Sequence, residues 1–346
     1  MRNVSGWAAH HQGSALKPWD FTRRDLLADD VAVRVDYCGV CASDIAAIRH
    51  GTIYPLVPGH EMTGEITAVG SAVTRFKAGD KVAVGNIIDS CGTCPPCLAG
   101  RENWCRRFPT LTYGNTDPKD GLPTRGGYCS EYVLPAKFTY HLPEGLDPAG
   151  AAPLMCAGIT TYAPMKRWGV GPGKTVGVVG MGGLGHIALQ LAHALGAEVV
   201  QFTRTLDKVD EAHALGADDV VLSTDDQQMA AQAGRFDFIL DTVGAPHSIE
   251  PYMSALAMDG TLCVVGIPES AIEVKALSLI QGAKNLAGAG SGGTAETQDM
   301  LDFCATHGIT AEIEIMRPDQ INEALERLAR NDVRYRFVLD MSAQRP

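Results

Sequence analysis

Four thiols fall within fifteen residues at Cys91-x2-Cys94-x2-Cys97-x7-Cys105. Four thiolates saturate a tetrahedral zinc ion and leave no open position, so this spacing predicts a structural metal site rather than a reactive one. The competing reading, disulfides, requires an oxidising compartment, and the spacing points to no pairing. A second chemistry-bearing run is Gly180-Met-Gly182-Gly183-Leu184-Gly185, set between an apolar strand at 176–179 and a helix opening at Leu184. In that context a GxGxxG turn predicts a dinucleotide site. Gly180 allows the tight turn, Gly182 lets a pyrophosphate approach the backbone, Gly185 lets helix pack on strand, and the helix N-terminus offers amide donors. The alternative is a glycine-rich turn without a ligand. Where an acid would read the ribose 2′-hydroxyl of NAD, the chain has Phe202-Thr203-Arg204-Thr205, with Lys208 a turn later and no carboxylate at the strand end. A 2′-phosphate takes hydroxyls and a guanidinium, so NADP(H) is the expected cofactor. The other reading of Arg204 is a solvated surface arginine.

Further candidates are dispersed: Cys41 in Cys38-Gly-Val-Cys41-Ala-Ser43-Asp44, the pair His60-Glu61, and Cys156 in Pro153-Leu-Met-Cys156. Each alone is more often a packing residue. The 346 residues include ten cysteines, and residues 1–7 hold no apolar signal-peptide core. Reduced thiols in the cytoplasm are therefore expected, with metal binding ahead of disulfides. No run approaches the ~18 apolar residues of a membrane helix. Lys plus Arg is 29 against 40 for Asp plus Glu, a net −11 that repels nucleic-acid phosphates and anionic membranes alike. Neither nucleic acid nor a membrane is expected as a partner.

The length suggests two domains. Short strands at 31–35, 65–69 and 81–84, separated by Gly-Asp or Pro turns, make the first part β-rich. The cysteine cluster carries Gly92, Pro95, Pro96 and Gly100 and reads as an irregular lobe. From Thr175 strands at 175–179, 198–202, 219–222, 236–240 and 261–265 alternate with helical runs, among them 184–195 and 249–258. That rhythm predicts βαβ crossovers and a parallel sheet. Beyond Gly290 come helices at 296–305 and 319–330, the latter introduced by Pro318, and a closing strand at 336–340. This tail is too short for its own domain and is expected to complete the first.

Gly59-His60-Glu61 with Gly64 and Val69-Gly70, the 91–105 cluster, the 180–185 turn and the tail Asn331-Asp-Val-Arg-Tyr-Arg-Phe-Val-Leu-Asp340 together resemble zinc-dependent medium-chain alcohol dehydrogenases. Pro58-Gly-His-Glu, Ala152-Pro-Leu-Met-Cys-Ala-Gly158 and the tail resemble the cinnamyl alcohol dehydrogenase branch. The resemblance runs nearly end to end. It implies an α/β protein: a GroES-like β-rich catalytic domain, 1–156 with 291–346, and a Rossmann NADP-binding domain with a doubly wound parallel sheet, 157–290. The active site would lie in the cleft between them, and two chains would pair through Rossmann edges as a homodimer.

The resemblance makes Cys41, His60 and Cys156 the ligands of a catalytic zinc, the two-cysteine, one-histidine set that alcohol dehydrogenase exemplifies, with Glu61 an alternative or outer ligand. Two zinc ions per chain follow. Asp44 matches the acid that orients the ligand histidine, and its other reading is first-turn helix electrostatics. Ser43 matches a hydroxyl that relays the proton between substrate oxygen and cofactor ribose, and its other reading is a helix N-cap. Thr160 matches a nicotinamide contact and Arg336 a pyrophosphate contact. Cys38, Cys129, Cys263 and Cys304 are left as packing residues.

The implied activity is that of an NADP(H)-dependent alcohol dehydrogenase or aldehyde reductase, in which zinc polarises the carbonyl and the nicotinamide exchanges hydride. Departures from the family pattern bear on it. Ala42 replaces a cofactor-contacting histidine or arginine, and Ala46 replaces a relay histidine, leaving solvent or His50 as the proton route. A short 44–60 loop, Leu111 for a tryptophan and Gly290 for an aromatic predict a broader or bulkier aldehyde site than cinnamyl substrates need. Rival readings are a polyol or sugar-type zinc dehydrogenase, which would favour NAD, a reductase of iminium or conjugated C=C bonds, and a non-catalytic NADP-binding protein.

Overall fold

The computed structural model describes residues 1–344. The chain forms two compact units, Met1–Cys156 with the chain from Gly292 onward, and Ala157–Ser291.

The first unit is built on the strand Asp30–Val40, whose valines at 31, 33, 35 and 40 are buried. Its first half pairs antiparallel with Glu131–Pro135, and its second half pairs antiparallel with the tail strand Arg336–Asp340, Phe337 opposite Val40. The other edge pairs with Met62–Val69, which puts Met62 opposite Cys38. The seven-stranded sheet runs Ile313–Met316, Arg336–Asp340, Asp30–Val40, Met62–Val69, Lys81–Val84, Thr139–His141, with Glu131–Pro135 as the additional partner. This register brings three chain points to one end of the sheet. Cys41 follows the central strand, His60 and Glu61 precede its neighbour, and Arg336 opens the tail strand.

A hairpin of Arg2–Ala8 and Lys17–Arg23 has no counterpart in the expected elements. Its polar strands, RNVSGWA and KPWDFTR, carry little alternation to betray them. Within the cysteine lobe, expected to be irregular, one helical turn Pro95–Leu98 and the 3-10 turn Glu102–Trp104 form. Proline at the first helical positions suits this, since it sacrifices no hydrogen bond there.

The second unit holds six strands, all paired in parallel, in the order Asp219–Leu222, Glu198–Thr203, Thr175–Val179, Phe236–Asp241, Leu256–Val264, Asn285–Gly288. Numbered within the unit this is 3-2-1-4-5-6, the dinucleotide-binding order. The helix expected over 249–258 spans only Glu250–Ala255, because Leu256 already pairs with Phe236 and begins the next strand. Backbone pairing with a buried leucine outweighs local helical periodicity there.

Phe337 anchors the tail strand in the first unit's core with no exposed surface. Phe337→Ala is expected to cost about 3–5 kcal/mol of stability, read as a lowered denaturant midpoint at unchanged slope. An unchanged midpoint would show that the tail strand is dispensable to this unit.

Candidate metal and cofactor sites

Helix Ala42–His50 begins directly after the central strand, with Cys41 as its N-cap residue. Asp44 folds back on that turn, its Oδ2 accepting from the Cys41 amide at 2.9 Å. The same carboxylate accepts from the Gly59 amide at 3.1 Å and from the Tyr128 hydroxyl at 2.7 Å, and its Oδ1 lies 3.3 Å from His60 Nδ1. Asp44 thus both caps the first turn and fixes the imidazole ring. Ser43 is not the N-cap that one reading made it. It lies inside the helix and donates its hydroxyl to Cys41 Sγ at 3.0 Å.

His60 arrives through Gly59, whose φ is +96°; a Cβ there would meet the Tyr128 ring at 2.6 Å and Cys38 Sγ at 2.9 Å. Only glycine makes this turn without strain. Cys156 follows the 3-10 turn Ala152–Met155, and its sulfur lies 3.9 Å from Cys41 Sγ. One ligand atom from each of Cys41, His60, Glu61 and Cys156 falls within 4.8 Å of all the others. Glu61 is held by Arg336, whose Nη2 donates to both carboxylate oxygens at 2.5 and 2.6 Å and to the Val40 carbonyl at 3.1 Å. Arg336, expected at a pyrophosphate, is thus engaged with Glu61, and its buried Nε has no hydrogen-bond partner among the described residues.

The electrostatics of this cluster suit a cation. The Cys156 hydrogen bond, with His60 and Arg336, holds the Cys41 thiol well below its usual range against burial, while Cys156 is pushed up as the proton-bearing partner and by burial. Burial raises the Glu61 carboxyl to about 7, with Arg336 opposing. Burial alone would lower the His60 imidazole, but Asp44 and Cys41 outweigh it and raise it. Two thiols, an imidazole and a carboxylate converging in this way form a zinc-type donor set, and binding would displace the protons they carry. Sequence reasoning missed Tyr128 and Tyr113, the latter with its ring 5.6 Å from that of His60. Neither sits at a telling spacing, and only the fold brings them here.

The four lobe cysteines also place their sulfurs within 4.8 Å of one another, with Cys94 and Cys97 3.4 Å apart. The Thr93 and Cys94 amides pull the Cys91 thiol down to about 6, and the Arg106 amide, 3.5 Å from Cys94 Sγ, lowers that thiol too. Burial pushes Cys97 up to about 11. Four sulfurs with amides aimed at them match a closed zinc site. Cys38, Cys129, Cys263 and Cys304 are buried, as packing residues should be.

In the second unit, Gly180 has φ +87° and a Cβ there would come within 2.9 Å of Val243, while one at Gly185 would lie 2.0 Å from the Gly180 carbonyl. At Gly182 nothing stands within 4 Å, so backbone is open to a ligand where the pyrophosphate was expected. Gly183 and Leu184 complete the turn, and the helix Gly185–Ala194 starts one residue later than expected. Lys208 Nζ donates to the Met181 carbonyl at 3.4 Å. Thr203 ends its strand, its hydroxyl donating to the Thr205 carbonyl at 3.0 Å, and Arg204 beside it is exposed. The Thr205 hydroxyl donates to Asp207. Thr160 Oγ1 accepts from the Ser291 amide at 3.3 Å. An open glycine turn with hydroxyls and basic groups at the next strand end fits a phosphorylated dinucleotide.

Residues 27–144 match the family described as alcohol dehydrogenase GroES-like domain, and residues 183–306 match zinc-binding dehydrogenase. The aldehyde reductase YahK of Escherichia coli K12 is 48% identical over 342 residues, covering 97% of this chain and 98% of that protein. Among solved structures, the cinnamyl alcohol dehydrogenase SbCAD4 of Sorghum bicolor superposes with a TM-score of 0.96 at 44% identity, covering 99% of both chains. The Helicobacter pylori cinnamyl alcohol dehydrogenase solved with NADP(H) gives 0.92 at 34% identity, again over 99% of both. No helix among the described residues is long and apolar enough to cross a membrane. The chain belongs to the zinc-type medium-chain alcohol dehydrogenase family, with a GroES-like domain and a Rossmann-like parallel-sheet domain.

Proposed function

We propose that the protein is an NADP(H)-dependent, zinc-containing alcohol dehydrogenase that reduces aromatic or broad-range aldehydes. The observation that carries this reading is the convergence of Cys41, His60, Glu61 and Cys156, with Asp44 on the imidazole. Cys41, His60 and Cys156 would hold the catalytic zinc, and Cys91, Cys94, Cys97 and Cys105 a structural one. When bound, the metal would polarise the carbonyl oxygen and the nicotinamide would supply or take the hydride. Asp44 keeps the His60 ring oriented by standing at Nδ1, which leaves Nε2 for a metal. Ser43 is exposed beside Cys41, and in aldehyde reduction its hydroxyl would give its proton to the substrate oxygen in place of Cys41 Sγ and take another from the solvent or ribose side. Ala46 offers no ionisable group on that route, and His50 lies exposed at the end of the same helix. Arg336 holds Glu61 off as an outer carboxylate, and its unpartnered Nε suits an anionic group of the cofactor. Thr203, Arg204, Thr205 and Lys208 would read the 2′-phosphate, the turn from Gly180 to Gly185 would cradle the pyrophosphate, and Thr160 would face the nicotinamide. The names of the relatives, aldehyde reductase and an enzyme solved with NADP(H), support the same direction.

NADPH-coupled turnover against aromatic, aliphatic and terpenoid aldehydes tests the proposal. Activity is expected on several classes, extending beyond cinnamaldehydes, because Leu111 and Gly290 replace the bulkier side chains that the family resemblance implies at those positions. Turnover confined to cinnamaldehydes would refute the broad range, and turnover only on iminium or conjugated C=C substrates would refute the aldehyde assignment. For the cofactor, Arg204→Ala is expected to raise the KM for NADPH about tenfold, the size of one charge-assisted hydrogen bond, and to leave that for NADH unchanged. Tighter binding of NADH than NADPH by the native chain would overturn the assignment.

A further inference from the structure

At the carboxyl end of the second unit's sheet lies a buried acid that the chemistry above does not use. Asp241, the last residue of strand Phe236–Asp241, has no exposed surface. Its Oδ1 accepts from the Val243 amide at 3.1 Å, and its main-chain carbonyl takes the Val265 and Gly266 amides at 2.9 and 3.1 Å. Oδ2 lies 3.1 Å from His247 Nε2, within ion-pair reach though not aligned as a hydrogen bond, and neither atom has a hydrogen-bond partner among the described residues. His247 Nδ1 is 2.9 Å from the Ala245 carbonyl, and the ring meets Tyr252 edge to face at 6.2 Å. Each ring nitrogen therefore faces an oxygen. The imidazole closes the turn 242–248 onto its own strand end, and an unpaired carboxylate at this depth would be costly.

That turn backs the glycine loop. The Thr242 hydroxyl and amide both donate to the Val179 carbonyl, at 2.7 and 3.1 Å, one residue before Gly180. A Val243 methyl occupies the space a Cβ on Gly180 would need, and Val243 backbone atoms lie where a Cβ on Gly266 would sit. The shape of the Gly180 turn is thus set from behind by residues that Asp241 and His247 hold.

We propose that His247 is a positioning residue for the dinucleotide: through Asp241 it fixes the Thr242-Val243 wall behind the glycine turn, and so sets affinity for the pyrophosphate of NADPH and NADH alike. This rests on the dinucleotide reading of that turn. Fluorescence titration of the full chain with each dinucleotide tests it. His247→Ala and Asp241→Asn are each expected to raise Kd about fivefold for NADPH and NADH by the same factor, the double variant being no weaker than the weaker single one. In steady state the loss falls on the KM for dinucleotide rather than on kcat. If Asp241→Asn does not fold, His247→Ala, whose side chain is 22% exposed, carries the test. An unchanged Kd in His247→Ala, a loss confined to NADPH, or additive losses in the double variant would overturn the clamp alone. A native chain that binds neither dinucleotide would overturn both the clamp and the cofactor reading beneath it.

Discussion

Two adjacent side chains, His60 and Glu61, are gripped by charges that lie far from them in the sequence, and the metal-side geometry depends on that grip. Asp44, 16 residues away, holds the imidazole, and Arg336, 275 residues away, holds the carboxylate. All four groups are buried. Removing one partner of the Arg336–Glu61 pair leaves an uncompensated buried charge, a loss of about 3–5 kcal/mol, so that grip is not optional. The register of the central strand makes both possible at once, because it sets Met62 opposite Cys38 and Phe337 opposite Val40. The sheet therefore serves chiefly to bring Cys41, His60 and Arg336 to the same end.

The two metal-type clusters solve different problems. In the lobe, backbone amides at Thr93, Cys94 and Arg106 stabilise thiolates within one short segment, so the site needs little from the rest of the fold. At Cys41 and Cys156 the two sulfurs lie 3.9 Å apart, and the stabilising charges for the Cys41 thiol come from His60 and Arg336. The first arrangement is closed by its own sulfurs. The second gathers a carboxylate already committed to an arginine, so on the proposed reading three protein ligands hold the metal and a fourth position is kept for an exchangeable one.

The same difference decides what is legible in the sequence alone. The lobe cysteines and the glycine turn are local patterns, and strands such as Lys81–Val84 and Thr175–Val179 stand between clear turn residues. Cys41, His60 and Cys156 are joined by no spacing, and only the family resemblance grouped them. Nothing local marks Tyr128, which reaches Asp44 across 84 residues, or the pairing of Arg336 with Glu61. The helix expected to run on to residue 258 stops short for the same reason, since Leu256 answers to a partner strand rather than to its neighbours. Contacts set by sheet register leave no trace in local periodicity.

Anomalous scattering at the zinc edge, from crystals of the chain as purified, tests the central claim most directly. Two peaks are predicted in each chain, one about 2.3 Å from the sulfurs of Cys91, Cys94, Cys97 and Cys105 and one at bonding distance from Cys41, His60 and Cys156. A single peak at the cysteine lobe, with the Cys41, His60 and Cys156 cluster empty in zinc-replete protein, would contradict it.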